Sequence, residues 1–499
     1  MGNELPRLSN ALLPLLGNVR RPTYERADVS LGIVHVGLGA FHRAHQAVYT
    51  DDRLAAGERD WGICGLSLRS SDVRASLAPQ DGLYTLLERG PEGDRARVIG
   101  AVTEALTVPE TPARALERLT DPATRIISLT VTEKAYCQDA GAGTLDEKHP
   151  AIVADLAGDR FPRSVPGLLV EALARRRAAG VKPCTVLVCD NLPSNGTTVA
   201  RIVARYAERR DPDLARYIAG EIAFPCTMVD RIVPATTDAD RTAVEAFGYR
   251  DAWPVVGEPF TQWVIEDRFV AGRPRWEEAG AQIVPDVHPF ELAKLRLLNG
   301  AHSTLAYLGT VLGLETVAEA MADPALAGFL RRLWDEDLAP TLQRVPGLDV
   351  AQYLFALEAR FRNLRIRHRL LQIAMDGSQK LPPRLLMPAV DRLRGAVPRR
   401  IALVVAGWMR FLLGVDDLGR RYEISDPLAS RLTGIAAAHA RDAQALVDEL
   451  LALRDIFGPL LARMPEFREE VLAALRSLLT RGASATLAEA IKGPNGGGS

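Results

Sequence analysis

Gly32-Ile33-Val34-His35-Val36-Gly37-Leu38-Gly39-Ala40-Phe41-His42-Arg43-Ala44-His45 is the stretch that decides the fold. Its first five residues predict a strand, and Gly37-Leu38-Gly39 predicts a tight turn. A helix is expected to follow and to run on through Tyr49 to Leu54. Strand, glycine turn and helix in this order aim backbone N–H groups at a pyrophosphate. A bare Gly-x-Gly is more often a structural turn, and His42 stands where the third glycine of the usual fingerprint belongs. The flanking strand and helix are what carry the dinucleotide reading.

Working outward, Trp61 to Leu68 predicts a second strand, ending in Arg69-Ser70-Ser71-Asp72. An acidic residue past the second strand is where an NAD ribose is held. Asp72 fits that role, and it also suits the N-cap of a helix over Val73 to Leu77. Arg69 leaves room for a 2′-phosphate, so NAD is a preference over NADP. Residues 125–132 and 184–188 are β-branched runs, followed by Glu133-Lys134 and by Cys189-Asp190-Asn191. A helix is expected from Thr197 to Arg209, then an extended run from Glu221 to Val229 that ends at Asp230-Arg231. Strands alternating with helices predict a parallel, doubly wound sheet. Ligands gather beyond the C-terminal ends of such strands, where Asp72, Glu133, Asn191 and Asp230 all fall.

From about residue 286 the texture changes. Leucine- and alanine-rich periodic stretches take over at 289–312, 315–334, 351–374, 397–414, 436–456 and 466–480. They predict a mostly helical second domain. The first stretch, Pro289 to His302, carries Lys294, Asn299 and His302 among Leu292, Leu295, Leu298 and Leu305. On an α-helix Lys294 and His302 lie about 80° apart, while Asn299 lies about 60° from His302 and about 140° from Lys294. Polar groups inside a leucine-rich helix need partners or solvent.

The chain's 499 residues suffice for two or three domains. The expected division is a Rossmann-type nucleotide-binding domain over 1–285, a helical substrate domain over 286–492, and a disordered Gly-rich tail over 493–499. A net charge of −1 with 25% charged residues argues against nucleic acid or a membrane surface as partner. The amino terminus shows no basic-then-apolar leader. Cys64, Cys137, Cys184, Cys189 and Cys226 make no Cys-x-x-Cys pair and no zinc spacing. A reduced, cytoplasmic protein without a structural metal is expected, as a monomer or weak homo-oligomer.

A dinucleotide fold joined to a helical domain bearing Lys, Asn and His suggests hydride transfer, in which the protein must manage the proton of an alcohol. Lys294 is the candidate base, since burial can bring a lysine toward neutrality. Asn191 and Asn299 suit the holding of a developing oxyanion. His302 can hold a substrate hydroxyl or orient the lysine.

Lys294-x-x-x-x-Asn299-x-x-His302 resembles the signature of the mannitol dehydrogenase family, the polyol-specific long-chain dehydrogenases. The resemblance extends to Thr132-Glu133-Lys134-Ala135-Tyr136, Cys189-Asp190-Asn191, Phe224 to Arg231 and Glu258-Pro259-Phe260. It implies a zinc-independent, NAD-preferring enzyme with its active site between a Rossmann-type and a helical domain. Lys294 would be the general base, Asn191 and Asn299 the oxyanion hole, and His302 a substrate contact. Asp230 and Lys380 would lie near the substrate, and Glu291, with Glu133, on a route for proton exchange. Gly37, Gly39, Ala40, Phe41, Arg43 and Asp72 would form the cofactor-binding set. Asp72 matches an acidic cofactor-selecting position whose acidic predecessor in some members is Ser71 here.

Within the family, Gln372 to Lys380 resembles the fructuronate reductase branch, where mannitol 2-dehydrogenases can carry arginine in place of Gln372. Lys134 or Arg367-His368 can receive a substrate carboxylate. Asp190 to Pro193 and Ala252 to Val256 look more like mannitol dehydrogenases. The implied reaction is D-mannitol to D-fructose, or D-mannonate to D-fructuronate. The alternatives are a sugar-phosphate dehydrogenase, for which no clear basic cradle is visible, and a non-catalytic nucleotide sensor.

Overall fold

The protein's structure, a computed structural model, describes residues 5–69, 72–139, 143–158, 161–344, 347–461 and 463–492. Ser71 and the expected disordered tail lie outside the described residues. The chain divides into two compact units, Met1–His288 and Pro289–Ser499.

The first unit holds strands β1 (Leu31–Val36), β2 (Gly62–Ser67), β3 (Tyr84–Gly90), β4 (Gly93–Ile99), β5 (Val102–Thr107) and β6 (Ile126–Leu129). After these come β7 (Gln138–Asp139), β8 (Thr144–Leu145), β9 (Thr185–Val188), β10 (Thr227–Asp230), β11 (Val255–Gly257), β12 (Gln262–Glu266) and β13 (Gln282–Val284). Five of them form a parallel sheet in the order β5-β2-β1-β6-β9. The winding direction reverses between β1 and β6, and in such sheets that reversal opens the ligand crevice.

Alternation along β1 explains why both faces of the sheet are covered. Val34 and Val36 enter one core with Leu116, Leu169 and Val199, whereas Ile33 enters another with Tyr49, Leu54 and Trp263. A strand buried on both sides is apolar at successive rather than alternate positions, and its one polar side chain, His35, is hydrogen-bonded to Ser128 and Thr130.

The expected extended run from Glu221 to Val229 is corrected. Glu221 closes the helix Pro212–Glu221, and only Ala223 makes a parallel bridge to Thr185 at the edge of the main sheet. Pro225 lacks the N–H to continue the ladder. The chain then enters a separate sheet as β10, antiparallel to β12. Asp230 is therefore the last residue of a strand outside the parallel sheet. The expected helix after the glycine turn is likewise broken at His45 into Ala40–Ala44 and Gln46–Ala55.

The second unit is helical, and its described residues contain only isolated bridges, such as Thr316 with Arg369. Its core gathers Leu297, Leu305, Trp334, Phe361 and Trp408. The expected continuous α-helix from Pro289 instead has three parts: His288–Ala293, a π-helix over Lys294–Asn299, and Gly300–Val311. The wide turn shifts the buried stripe, so Leu292 and Leu295 are half-buried while Leu297 is fully buried. Two further π-helices, Leu333–Leu338 and Pro382–Leu386, pack against it. Trp334 donates its indole N–H to the Leu297 carbonyl at 2.9 Å, giving that oxygen a partner from outside the helix. No helix among the described residues is long and apolar enough to cross a membrane.

Candidate functional site

In the first unit the turn after β1 carries the candidate cofactor residues. Gly37 has φ +97, and a Cβ there would lie 2.1 Å from the Thr130 carbonyl oxygen just past β6. Only glycine fits where the chain crosses the reversal point so closely. Gly39, N-terminal to the helix Ala40–Ala44, differs: a Cβ there would meet nothing nearer than the Gly37 oxygen at 3.7 Å. The protein itself does not need that space, so a dinucleotide backbone approaching the turn fits it. Ala40 and Phe41 are half-buried beside it, and Phe41 stacks on His45 with ring centroids 4.9 Å apart.

Beneath the turn His35 stacks on His42 at 3.4 Å and bonds Ser128 and Thr130, each at 2.8 Å. Burial pushes His35 down to about 3 and His42 well below its ordinary value, so both are neutral braces of the turn. The side chain of Arg43, a candidate cofactor residue, is buried. The residue is 1% exposed, and its guanidinium donates to the Trp253 carbonyl and lies over the rings of Tyr84 and Trp253. A cation given to two aromatic faces is a packing element. Asp72 is exposed at the first position of the helix Asp72–Leu77, past the end of β2.

The loops after β6 and β9 carry the other candidates. Glu133 and Lys134 are exposed on the 3-10 turn Glu133–Tyr136, and Asn191 is exposed past β9. Between them sits a group that sequence reasoning quoted without assigning. The Asp190 carboxylate accepts from the Tyr136 hydroxyl at 2.5 Å and from the Val131 N–H at 3.2 Å. Burial pushes Asp190 up to about 7, against the pull of those two donors and with a further push from Glu133. Asp230 is 4% exposed. Its neighbour Arg231 is tied to Glu88 at 2.6 Å and to the carbonyls of Ala44 and Glu258.

In the second unit the π-turn positions the candidate chemistry. A turn closed by i→i+5 hydrogen bonds brings residues five apart toward one face. Lys294 and Asn299, both half-buried, have that separation, and the Gly300 N–H donates to the Leu295 carbonyl in the π pattern. The 140° expected for an α-helix is thereby corrected. His302 follows on the next turn, 7% exposed, and its Nε2 has no hydrogen-bond partner among the described residues. Its ring stands edge-on to His368 at 5.1 Å and against Phe361 at 4.8 Å.

Burial pushes His302 well below its ordinary value, and His368, Arg384, Arg360 and Lys294 push in the same direction. His368 falls to about 4 through burial and the charge of Lys380. Two neutral imidazoles thus sit among four cations, a grouping typical of sites. Lys380 also donates to the Ile373 carbonyl at 3.3 Å. Arg384, which no periodicity flagged, reaches the Ser303 hydroxyl at 3.1 Å and the Asn299 carbonyl at 3.5 Å. Glu291 is half-buried in the turn preceding Lys294.

The other two candidate substrate residues are exposed. Arg367 is exposed on the segment between the helices Val350–Phe361 and Leu370–Ala374. Gln372 is exposed and lines a cleft of about 740 Å³ with Thr310, Arg369 and Arg420. None of Lys294, Asn299, His302, His368 or Lys380 lines that cleft. Gln372 sits one position off the buried Ile373, so the helix turns it away from the packed side. Among the described residues no three or more His, Cys, Asp or Glu side chains are grouped to hold a metal ion.

Comparison with known proteins bears on both units. Residues 31–278 match the mannitol dehydrogenase Rossmann domain, and 286–479 match the mannitol dehydrogenase C-terminal domain. The D-mannonate oxidoreductase of Escherichia coli (strain K12) is 45% identical over 93% of this chain and 96% of its own. A mannitol 2-dehydrogenase of Pyrenophora tritici-repentis is 41% identical over 96% of this chain and 85% of its own. The solved Pseudomonas fluorescens mannitol 2-dehydrogenase, a ternary complex with NAD and D-mannitol, is 41% identical and superposes with a TM-score of 0.87 over 98% of this chain and 100% of its own.

Proposed function

The chain belongs to the mannitol dehydrogenase family, and on that premise we propose that it is an NAD-dependent oxidoreductase interconverting an open-chain polyol or aldonate with its keto sugar. The pairs are D-mannitol with D-fructose and D-mannonate with D-fructuronate. The observation that carries this reading is the gathering of Lys294, Asn299, His302, His368 and Lys380 around one π-turn.

Bound NAD supplies the hydride acceptor. The residues that would hold it are Gly37 and Gly39, with the open space at Gly39, and Asp72 beyond β2. The chain's own residues manage the rest. Lys294 takes the hydroxyl proton as the carbinol carbon is oxidised. The side-chain amides of Asn299 and Asn191 donate to the oxygen as charge develops on it, a stabilisation that needs no added charge. The Nε2 of His302 takes a substrate hydroxyl as partner, which removes the cost of leaving that buried nitrogen alone. As a neutral ring it can either accept from or donate to a hydroxyl. Asp230 and Lys380 bind further substrate oxygens. Glu291 and Glu133 return the proton to solvent.

Absorbance at 340 nm with NAD or NADP against mannitol, arabinitol, sorbitol and mannonate tests the reading. Turnover with mannitol or mannonate is expected, faster with NAD. Silence with all four at saturating cofactor would overturn it. The arginines near His302 favour a carboxylate-bearing substrate, so mannonate is the first of the four to try.

A further inference from the structure

We infer that Asp190 is a positioning residue: its side chain holds the loop that presents Asn191, and Asn191 delivers its amide only while that loop is held. The inference rests on the reading of Asn191 as an oxyanion donor and deepens it.

The loop is held through the side chain and the main chain of Asp190. The Oδ2 atom of Asp190 accepts from the Tyr136 hydroxyl and from the Val131 N–H at once. Val131 lies two residues past β6, and Tyr136, fully buried, closes the turn that follows. Asp190 lies two residues past β9, the neighbour of β6 in the sheet. One carboxyl oxygen therefore joins the two loops that extend from adjacent strands beyond the reversal point.

The main chain is held as well. The Asp190 carbonyl accepts from Asn195 Nδ2 at 3.0 Å, and Asn195 Oδ1 accepts from the Thr227 and Gly196 N–H groups. Ser194 adopts a left-handed φ of +44, which turns the chain into the helix Asn195–Arg210. Leu192 is buried and Asn191 is exposed. The ties thus converge on the residue immediately before Asn191. An ionisable acid kept in a partly desolvated place is costly once it ionises, where a permanently neutral acceptor would serve packing alone, and such groups concentrate at sites. The gain is stiffness: an oxyanion donor displaced by about 1 Å can lose on the order of 10²-fold in rate.

A double-mutant cycle on the full chain decides the matter. Asp190→Asn and Asn191→Ala are made singly and together, and kcat is measured with saturating NAD on whichever of mannitol or mannonate turns over. The KM for NAD and the melting temperature are recorded in parallel. Asp190→Asn is expected to lower kcat roughly tenfold while the KM for NAD stays within about twofold, and in the Asn191→Ala background it should add less than about twofold. Tyr136→Phe, which keeps the carboxylate and removes one donor, is expected to lower kcat in the same way and decides the question if Asp190→Asn does not fold. Unchanged kcat in both Asp190→Asn and Tyr136→Phe, or losses that multiply with that of Asn191→Ala, would overturn the inference. Full kcat in Asn191→Ala would instead remove the oxyanion-donor reading itself, an outcome distinct from any behaviour of the Asp190 variant.

Discussion

Lys294 and Asn299 occupy the two ends of one π-turn. That relationship sets the chemistry of the second unit. On an α-helix the amine and the amide would point about 140° apart; the wider turn brings them toward a shared face. Arg384 reaches the backbone at the Asn299 end, and Trp334 reaches it at Leu297. The turn is thus held from two neighbouring π-helices rather than by its own hydrogen bonds alone.

Replacing the amine tests the base. Lys294→Ala is expected to lower kcat by roughly 10²–10⁴-fold, the usual reach of a general base. NADH affinity should persist, because the candidate cofactor residues belong to the first unit. Fluorescence titration with NADH beside steady-state kinetics checks both halves. Full turnover in this variant would refute the assignment.

The two glycines of the turn should separate folding from binding. Gly37→Ala forces a Cβ against the Thr130 carbonyl at positive φ, where strain alone costs on the order of 1–3 kcal/mol. It is expected to melt early or not to fold. Gly39→Ala meets no such contact. It should keep the wild-type melting temperature and weaken NADH binding at least about tenfold. Differential scanning fluorimetry with and without NADH distinguishes the pair. Equal melting and equal NADH affinity in both variants would count against the cofactor turn.

Histidine burial fixes a pH dependence. His35, at about 3, and His368, at about 4, are held below the unfolded value of about 6.5, and His302 and His42 are pushed in the same direction. Between those values the unfolded chain binds protons that the folded chain refuses, so these groups make stability fall as pH drops from about 6.5 toward 4. Asp190 works oppositely: raised to about 7, it stays protonated in the folded state where the unfolded carboxyl has ionised, so its contribution falls as pH rises from about 4 to 7. Urea midpoints measured across this window should show Asp190→Asn gaining on the wild type as pH rises. A constant difference would contradict the raised value.

The two lysine-side candidates should part company in substrate kinetics. Lys380→Ala is expected to raise the substrate KM roughly tenfold or more, through loss of a charge-assisted contact. Gln372→Ala is expected to stay within about twofold, since its side chain lines a separate cleft. Initial rates over a substrate series decide this. The reverse ranking would move the substrate to the Gln372 cleft.

Much of the first unit was legible because its signals are local. Short continuous apolar, β-branched runs announce strands, and Gly37 announces the turn that only glycine can make. Thr227–Asp230 was misplaced because the sequence shows extension but not partnership, and its partner lies 30-odd residues on, at Gln262–Glu266. The helical texture of the second unit was equally legible. Its π-turns were not, since Leu292, Leu295 and Leu298 fit an α-helix just as well. Arg43 illustrates the limit at the site: a motif names the residue, but only packing reveals that its head group lies over Tyr84 and Trp253. Asp190 with Tyr136, and Arg384 with Ser303, join residues 54 and 81 apart, and no spacing rule connects them.

The wide turn at Lys294 also has a topological side. It stores one surplus residue relative to a regular helix, and a surplus of that kind cannot be dissolved by exchanging side chains. It can only slide along the rod, toward either end, or leave through loss of a residue. A one-codon deletion within it should therefore return a regular helix with the flanking segments still close to their present angular offset, whereas the same deletion one turn downstream, in Gly300–Val311, would swing everything beyond it by about a hundred degrees.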